Sequence, residues 1–185
     1  EIREILQPLG WSVTPQSEFF DSEAEETGLS FIENAILKAR YACAKTGLSA
    51  IADDSGIEVS ALQGQPGIYS SRYAGENATD QDNIQKLLKE LEGVPKSKRQ
   101  ASFYCAMVFC RHESDPTPLV ALGQWHGEIL HEPVGAGGFG YDPVFFVPDQ
   151  GVSSAELTKQ QKNKISHRAQ ALHSLVEQMK TSTDL

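Results

Sequence analysis

The sequence predicts a mixed α/β fold, because helices and strands interleave without the regular rhythm of a doubly wound parallel sheet. Segments with helical periodicity carry clear caps, and other segments show the two-residue alternation of strands. The 185 residues are 39% hydrophobic and 22% charged, an ordinary composition for a globular domain of this length. We therefore expect residues 1–185 to form a single domain.

Residues 1–9 and 30–46 are predicted to be helices. The second helix begins at Ser30, which forms a capping-box pair with Glu33, and it ends before Gly47. Two strands are expected next, over residues 48–53 and 56–62. They are divided at Gly56, where the backbone can turn sharply.

A Gly- and Pro-containing loop over residues 63–75 leads to a helix that Thr79 caps and that continues to about Leu91. Residues 101–110 are apolar on both alternating faces, which predicts a central strand covered on both sides. Residues 119–130 predict one long strand or a hairpin, and residues 144–147 a short strand. A last helix over about 167–180 buries one side, formed by Leu172, Leu175, Val176 and Met179.

Charge and composition exclude several classes of partner. A net charge of −9 argues against nucleic-acid polymers, although a metal ion or local basic cluster still permits a small anionic ligand. No apolar run approaches the roughly 18 residues that span a bilayer. The three cysteines lie in apolar segments, which indicates buried free thiols in a reducing compartment. A zinc site with His112 is not expected, because Cys105 and Cys110 fall on opposite faces of a strand.

Two adjacent carboxylates, Asp53 and Asp54, interrupt an apolar segment. A strand places them on opposite faces, and burying like charges together is costly unless a divalent cation balances them. Glu26 and Glu33 are candidate partners for Asp54, although Glu33 already serves the capping box. If Asp54 holds a metal, the most economical second ligand is a carboxylate from the acidic run before Gly28, which contains Glu23, Glu25 and Glu26. The alternative interpretation is an acidic turn capped by Asp and Ser side chains.

Residues 135–142 contain four glycines, which suit a backbone that approaches a ligand closely and offers N–H groups to anionic oxygens. Phe139 lies between two of them and could present an open ring for stacking on a base. The alternative is a flexible connection with Phe139 turned inward.

The segment 162–168 is basic. Ser166 is a predicted N-cap, which places His167 and Arg168 in a first helical turn, where positive charge opposes the helix dipole. This arrangement indicates an anion or carbonyl ligand nearby. The alternative is a solvated basic rim.

Six motifs in this order resemble the inosine/xanthosine triphosphate pyrophosphatase family, over nearly the whole chain. They are Ser22-Glu-Ala-Glu-Glu-Thr-Gly28, Phe31-Ile-Glu-Asn-Ala-Ile-Leu-Lys-Ala39, Ala52-Asp-Asp-Ser-Gly56, Pro66-Gly-Ile-Tyr-Ser-Ser-Arg72, Gly137-Gly-Phe-Gly-Tyr-Asp-Pro143 and Ser166-His-Arg168.

The resemblance implies hydrolysis of deaminated purine nucleoside triphosphates (ITP, dITP and XTP) to the monophosphate and pyrophosphate, with Mg²⁺. It also implies an elongated mixed sheet, two lobes around a central cleft, a homodimer and a cytoplasmic location. Two alternatives are a pyrimidine-directed pyrophosphatase of similar fold and a non-catalytic nucleotide-binding module.

Motif positions imply roles for individual residues. Asp54 and Lys38 would be catalytic, and Asp54 and Glu26 would bind the metal. The implied substrate-binding residues are Ser55, Phe139, Gly140, Tyr141, Asp142, Lys162, His167 and Arg168.

One feature of the family is missing from this sequence. Family members begin with a strand and a Ser/Thr-x-Asn-x-x-Lys phosphate loop, and Glu1 falls at or beside the expected lysine. We expect the native protein to carry this segment.

Overall fold

A computed structural model of the chain describes residues 2–7 and 10–182. Residues 1, 8 and 9 of the predicted first helix lie outside this described part. The helices are α1 (Ile2–Leu6), α2 (Phe31–Thr46), α3 (Asp80–Glu90), α4 (Lys159–Ile165) and α5 (His167–Thr181). The strands are β1 (Ala50–Val59), β2 (Gln100–Cys110), β3 (Leu119–Ile129), β4 (Phe145–Val147) and β5 (Val152–Ser153).

The five strands form one antiparallel sheet in the order β1-β2-β3-β4-β5, which confirms the mixed α/β class. Strand β2 lies between β1 and β3 and is continuously buried from Ala106 to Cys110, as its apolar pattern predicts. Strands β3 and β4 pair with Glu128 opposite Phe146.

The predicted break at Gly56 is wrong, because β1 runs without interruption through both aspartates and the glycine. Ile57 and Val59 are fully buried, and the Ile57 N–H donates to Ser70 Oγ at 2.9 Å. Burial of these side chains holds the backbone extended, so the conformational freedom of Gly56 is not used for a turn.

Three other elements refine the predictions. Strand β3 is one long strand rather than a hairpin. Helix α4 and the two-residue strand β5 were not predicted. Helix α4 has no buried residues, so its sequence lacks the apolar stripe that predicts a helix. The only strong sequence feature that indicates this helix is the capping box of Thr158 and Gln161.

The chain divides into two compact units, and β1, β2 and β3 each contribute residues to both. Unit 1 comprises Glu1–Asp54, Cys105–Gly123 and Arg168–Leu185, and unit 2 comprises Ser55–Tyr104 and Gln124–His167. The core of unit 1 includes Leu6, Met107, Phe109, Leu172 and Leu175. The core of unit 2 includes Ile57, Leu87, Phe103, Trp125 and Phe145.

All three cysteines are buried free thiols, as predicted. Within residues 2–7 and 10–182, no helix is both long and apolar enough to cross a bilayer.

Candidate active site

Helix α2 positions the polar side chains of unit 1. Ser30 Oγ accepts a hydrogen bond from the Glu33 N–H, and the Glu33 carboxylate accepts from the Leu29 N–H at 2.9 Å. These capping contacts engage Glu33 in fixing the start of the helix. Asn34 and Lys38 then follow one helical turn apart and lie on the same face.

Lys38 links two carboxylates. Its Nζ lies 2.7 Å from Asp54 Oδ1 on β1 and 3.1 Å from Glu26 Oε1. Asp54 is buried, whereas Lys38 and Glu26 keep about a quarter of their side-chain surface exposed. The structure thus brings together the three residues for which the resemblance implied catalytic or metal-binding roles.

Asn34 is a further member of this cluster that the sequence analysis did not single out. It is fully buried, its Nδ2 donates to Asp54 Oδ2 at 3.3 Å, and its Oδ1 accepts from the Gly28 N–H at 2.8 Å. A Cβ on Gly28 would lie 2.7 Å from Asn34 Oδ1, so only glycine permits this approach. Asn34 therefore ties the segment that carries Glu26 to the Asp54 carboxylate.

The electrostatics of the cluster follow from burial and pairing. Burial raises the pKa of Asp54 above its ordinary value, and the attraction of Lys38 only partly opposes this shift. Burial alone would lower the pKa of Lys38, but its hydrogen bonds and charge attraction to Asp54 and Glu26 outweigh that effect and raise it. Lys38 therefore remains a cation at neutral pH.

The donors of this cluster fit a hard divalent cation. The carboxylates of Asp54 and Glu26 converge on one positive charge, the Lys38 ammonium, so their oxygens are already arranged around a cation. In the described part of the chain, no group of three or more His, Cys, Asp or Glu side chains could hold a metal ion. This set suits Mg²⁺, which proteins commonly bind through one or two carboxylates together with phosphate and water oxygens.

Asp53 faces away from the cluster and pairs with Arg168 at the start of α5. Its Oδ2 accepts from Arg168 Nε at 3.2 Å and from Nη2 at 3.0 Å. The alternative interpretation of an acidic turn at Asp53 and Asp54 is wrong, since β1 is continuous through both residues. An anion or carbonyl ligand was expected near the first turn of the last helix. The structure places the Asp53 carboxylate of the same chain against Arg168 there.

In unit 2, Asp142 organises the glycine loop, residues 135–142. Its buried carboxylate accepts from Ser154 Oγ at 2.7 Å, from the Phe139 N–H at 2.9 Å and from Lys162 Nζ at 2.6 Å. Phe139 is 63% exposed, and Lys162 Nζ lies 5.1 Å from its ring centroid. The alternative in which Phe139 turns inward is therefore wrong.

The other predicted residues of unit 2 have different surroundings. Tyr141 is buried and its hydroxyl donates to the Ser70 carbonyl at 2.7 Å. His167 is buried, with its ring stacked on Phe103 at 4.9 Å between centroids. Ser166 ends α4 as its C-cap. Ser55 is half-buried in β1, and the Gly140 N–H donates to Asp80.

A model of the Ham1 family matches residues 1–178. The chain belongs to the Ham1 family. It is 60% identical over 183 residues to the dITP/XTP pyrophosphatase of Idiomarina loihiensis, covering 97% of this chain and 91% of that protein. It is 55% identical over 180 residues to the dITP/XTP pyrophosphatase of Escherichia coli strain K12, with the same coverage.

Solved structures of Ham1 proteins share the fold. The structure of a HAM1 protein from Coxiella burnetii is similar with a TM-score of 0.93 and 50% identity, covering 98% of this chain and 92% of that one. A dITP/XTP pyrophosphatase from Mycobacterium abscessus matches with a TM-score of 0.79 and 36% identity, covering 96% and 92%. The family resemblance of the six motifs and the fold class are thus confirmed.

Proposed function

We propose that this chain is a metal-dependent nucleoside triphosphate pyrophosphatase that hydrolyses deaminated purine nucleotides, dITP, XTP and ITP, to the monophosphate and pyrophosphate. The observation that carries the proposal is the cluster of Asp54, Lys38 and Glu26, in a chain 55–60% identical to curated dITP/XTP pyrophosphatases. Hydrolysis of a phosphoanhydride requires charge neutralisation and positioning more than covalent chemistry, and this cluster offers both.

Asp54 is proposed to orient the attacking water and to accept its proton. Burial raises the pKa of Asp54, which makes its carboxylate a better base than an exposed aspartate. Lys38 is proposed to donate to phosphate oxygens, which are alternative acceptors to the two carboxylates it contacts here. Asp54 and Glu26 would hold Mg²⁺, which when bound neutralises charge on the phosphate oxygens.

Residues around the glycine loop and at the start of α5 are proposed to recognise the purine. Phe139 offers an exposed ring for stacking, and Arg168 and His167 offer N–H donors to a 6-oxo group. Donors in these positions disfavour adenine, whose 6-amino group would leave them unpaired. Lys162, Ser55 and the Gly140 backbone are further proposed contacts.

Asp142 and Tyr141 are proposed to act by ordering the loop, since their polar atoms already bind protein groups. The family resemblance also implies Mg²⁺ as the metal, a homodimer and a cytoplasmic location, and we include all three in the proposal.

A substrate panel tests the proposed function. Pyrophosphate release would be measured with dITP, XTP, ITP, ATP, GTP and dUTP, in the presence of Mg²⁺ and after addition of EDTA. We expect release from the first three, at kcat/KM values at least about 100-fold above those for ATP, and loss of activity with EDTA. A preference for dUTP would favour the pyrimidine-directed alternative, and binding of dITP without turnover would favour a binding module.

A further inference from the structure

Asp80 lies outside every motif of the sequence analysis, yet it contacts the glycine loop. Its Oδ2 accepts a hydrogen bond from the Gly140 N–H at 2.6 Å, across 60 residues of sequence. We propose that Asp80 is a positioning residue that holds the glycine loop in the conformation that presents Phe139 to the purine base. This inference rests on the function proposed above.

The loop needs anchors because of its backbone conformation. Gly138 and Gly140, on either side of Phe139, have φ angles of +75° and +57°. Glycine adopts such angles readily but also adopts many others, so the unanchored segment would populate several conformations. A Cβ on Gly138 would lie 2.1 Å from Asp142 Oδ2, so the position adjoining the anchor requires glycine.

Two carboxylates fix adjacent peptide groups of this loop. Asp142 accepts from the Phe139 N–H at 2.9 Å, and Asp80 accepts from the Gly140 N–H at 2.6 Å. Asp142 belongs to the loop itself, and its carboxylate also accepts from Ser154 Oγ and Lys162 Nζ. Asp80 is the contact that ties the Phe139–Gly140 peptide to α3. Hydrogen bonds from an N–H to an ionised carboxylate are stronger than neutral ones.

Helix α3 gives Asp80 a fixed place. Thr79 and Asp82 form a complete capping box at its start. Asn83, one turn into the helix, is buried, accepts from the Ala74 N–H at 2.8 Å and donates to the Ser71 carbonyl at 3.0 Å. Leu87 packs fully buried in the core of unit 2. The capping box, the Asn83 hydrogen bonds and the burial of Leu87 thus fix α3, and α3 holds the Asp80 carboxylate in place.

Loss of this anchor should weaken binding of the base and spare binding of the phosphates. If only a fraction of loops presents Phe139 correctly, the apparent dissociation constant rises by the inverse of that fraction. Loss of one charge-assisted hydrogen bond is expected to reduce that fraction about tenfold.

The test compares Asp80→Ala, Asp80→Asn and Asp80→Glu with Gln81→Ala, an exposed neighbour in the same helical turn. Amide hydrogen exchange at Phe139 and Gly140 would be measured by NMR. Dissociation constants would be measured for inosine 5′-monophosphate and for tripolyphosphate, both with Mg²⁺. The glutamate variant keeps the negative charge at the helix N-terminus but moves the carboxylate by one methylene.

We expect Asp80→Ala to accelerate Gly140 exchange and weaken inosine monophosphate binding, each about tenfold, with tripolyphosphate affinity within twofold. Asp80→Asn, which keeps an acceptor oxygen, should lie between alanine and wild type, and Asp80→Glu should resemble alanine. Gln81→Ala should match wild type.

Three outcomes would overturn the inference: unchanged Gly140 exchange in Asp80→Ala, unchanged inosine monophosphate affinity in that variant, or wild-type behaviour of Asp80→Glu. Absence of inosine monophosphate binding and of dITP hydrolysis in the wild type would instead contradict the proposed function. The exchange rates alone would then show whether Asp80 anchors the loop.

Discussion

Replacing Asp54 with asparagine changes the charge of the carboxylate cluster while preserving its shape. The Lys38 hydrogen bond at 2.7 Å keeps an acceptor oxygen but loses the negative charge of that acceptor, and a charge-assisted hydrogen bond contributes about 1.5–3 kcal/mol. The hydrogen bond from Lys38 to Glu26, at 3.1 Å, remains. Burial raises the pKa of Asp54, so the fold disfavours its charged form, and asparagine removes that cost. These effects oppose each other, and we expect the free energy of unfolding to change by less than about 1 kcal/mol.

Activity should respond very differently. Without the proposed base and metal ligand, kcat/KM for dITP should fall by about a thousandfold or more. Urea unfolding followed by the fluorescence of Trp11 and Trp125 measures stability, and pyrophosphate release measures activity. Asp149→Asn, an exposed substitution of the same kind, serves as the control. Activity within tenfold of wild type would refute the role of Asp54. Destabilisation above about 3 kcal/mol would show that the lost ionic hydrogen bond outweighs the burial cost that asparagine removes, and would refute the expected cancellation.

Three further substitutions extend these tests. Glu26→Gln should raise the Mg²⁺ concentration for half-maximal activity about tenfold, and an unchanged requirement in a Mg²⁺ titration would exclude Glu26 as a ligand. Phe139→Ala should raise the KM for dITP about tenfold without changing the thermal midpoint, because the ring is exposed; an unchanged KM would contradict stacking. Asp115→Asn should destabilise the protein by about 3 kcal/mol at pH 7. Hydrogen bonds from Arg111 lower the pKa of buried Asp115, so its contribution is present above the unfolded value of 3.8 and is lost as pH falls through the folded value. The difference in urea midpoint should therefore shrink at pH 3, and a constant difference would contradict the ion-pair explanation.

The sequence predicted the elements that carry periodic apolar residues and clear caps. Ser30 and Gly47 bound α2 as expected, and Thr79 caps α3. The prediction failed at Gly56, where local backbone freedom suggested a turn but burial of Ile57 and Val59 keeps the strand extended. Local propensity is a weak guide where tertiary packing decides the conformation.

Some residues of the candidate site could likewise be predicted from the sequence, and others could not. Motifs pointed to Asp54, Lys38 and Glu26, and the structure places them in contact. Asn34 could have been found from its position one helical turn before Lys38. Asp80 could not, because its hydrogen bond to Gly140 spans 60 residues and no sequence pattern joins the two segments.

The bond that is cleaved in the substrate tests the central claim most directly. Phosphorus-31 NMR of a reaction of the protein with ITP and Mg²⁺ identifies the first products without coupling enzymes. Hydrolysis between the α- and β-phosphates predicts inosine monophosphate and pyrophosphate in equal amounts from the first time point. Inosine diphosphate and orthophosphate as the first products would contradict the assignment of this chain as a nucleoside triphosphate pyrophosphatase.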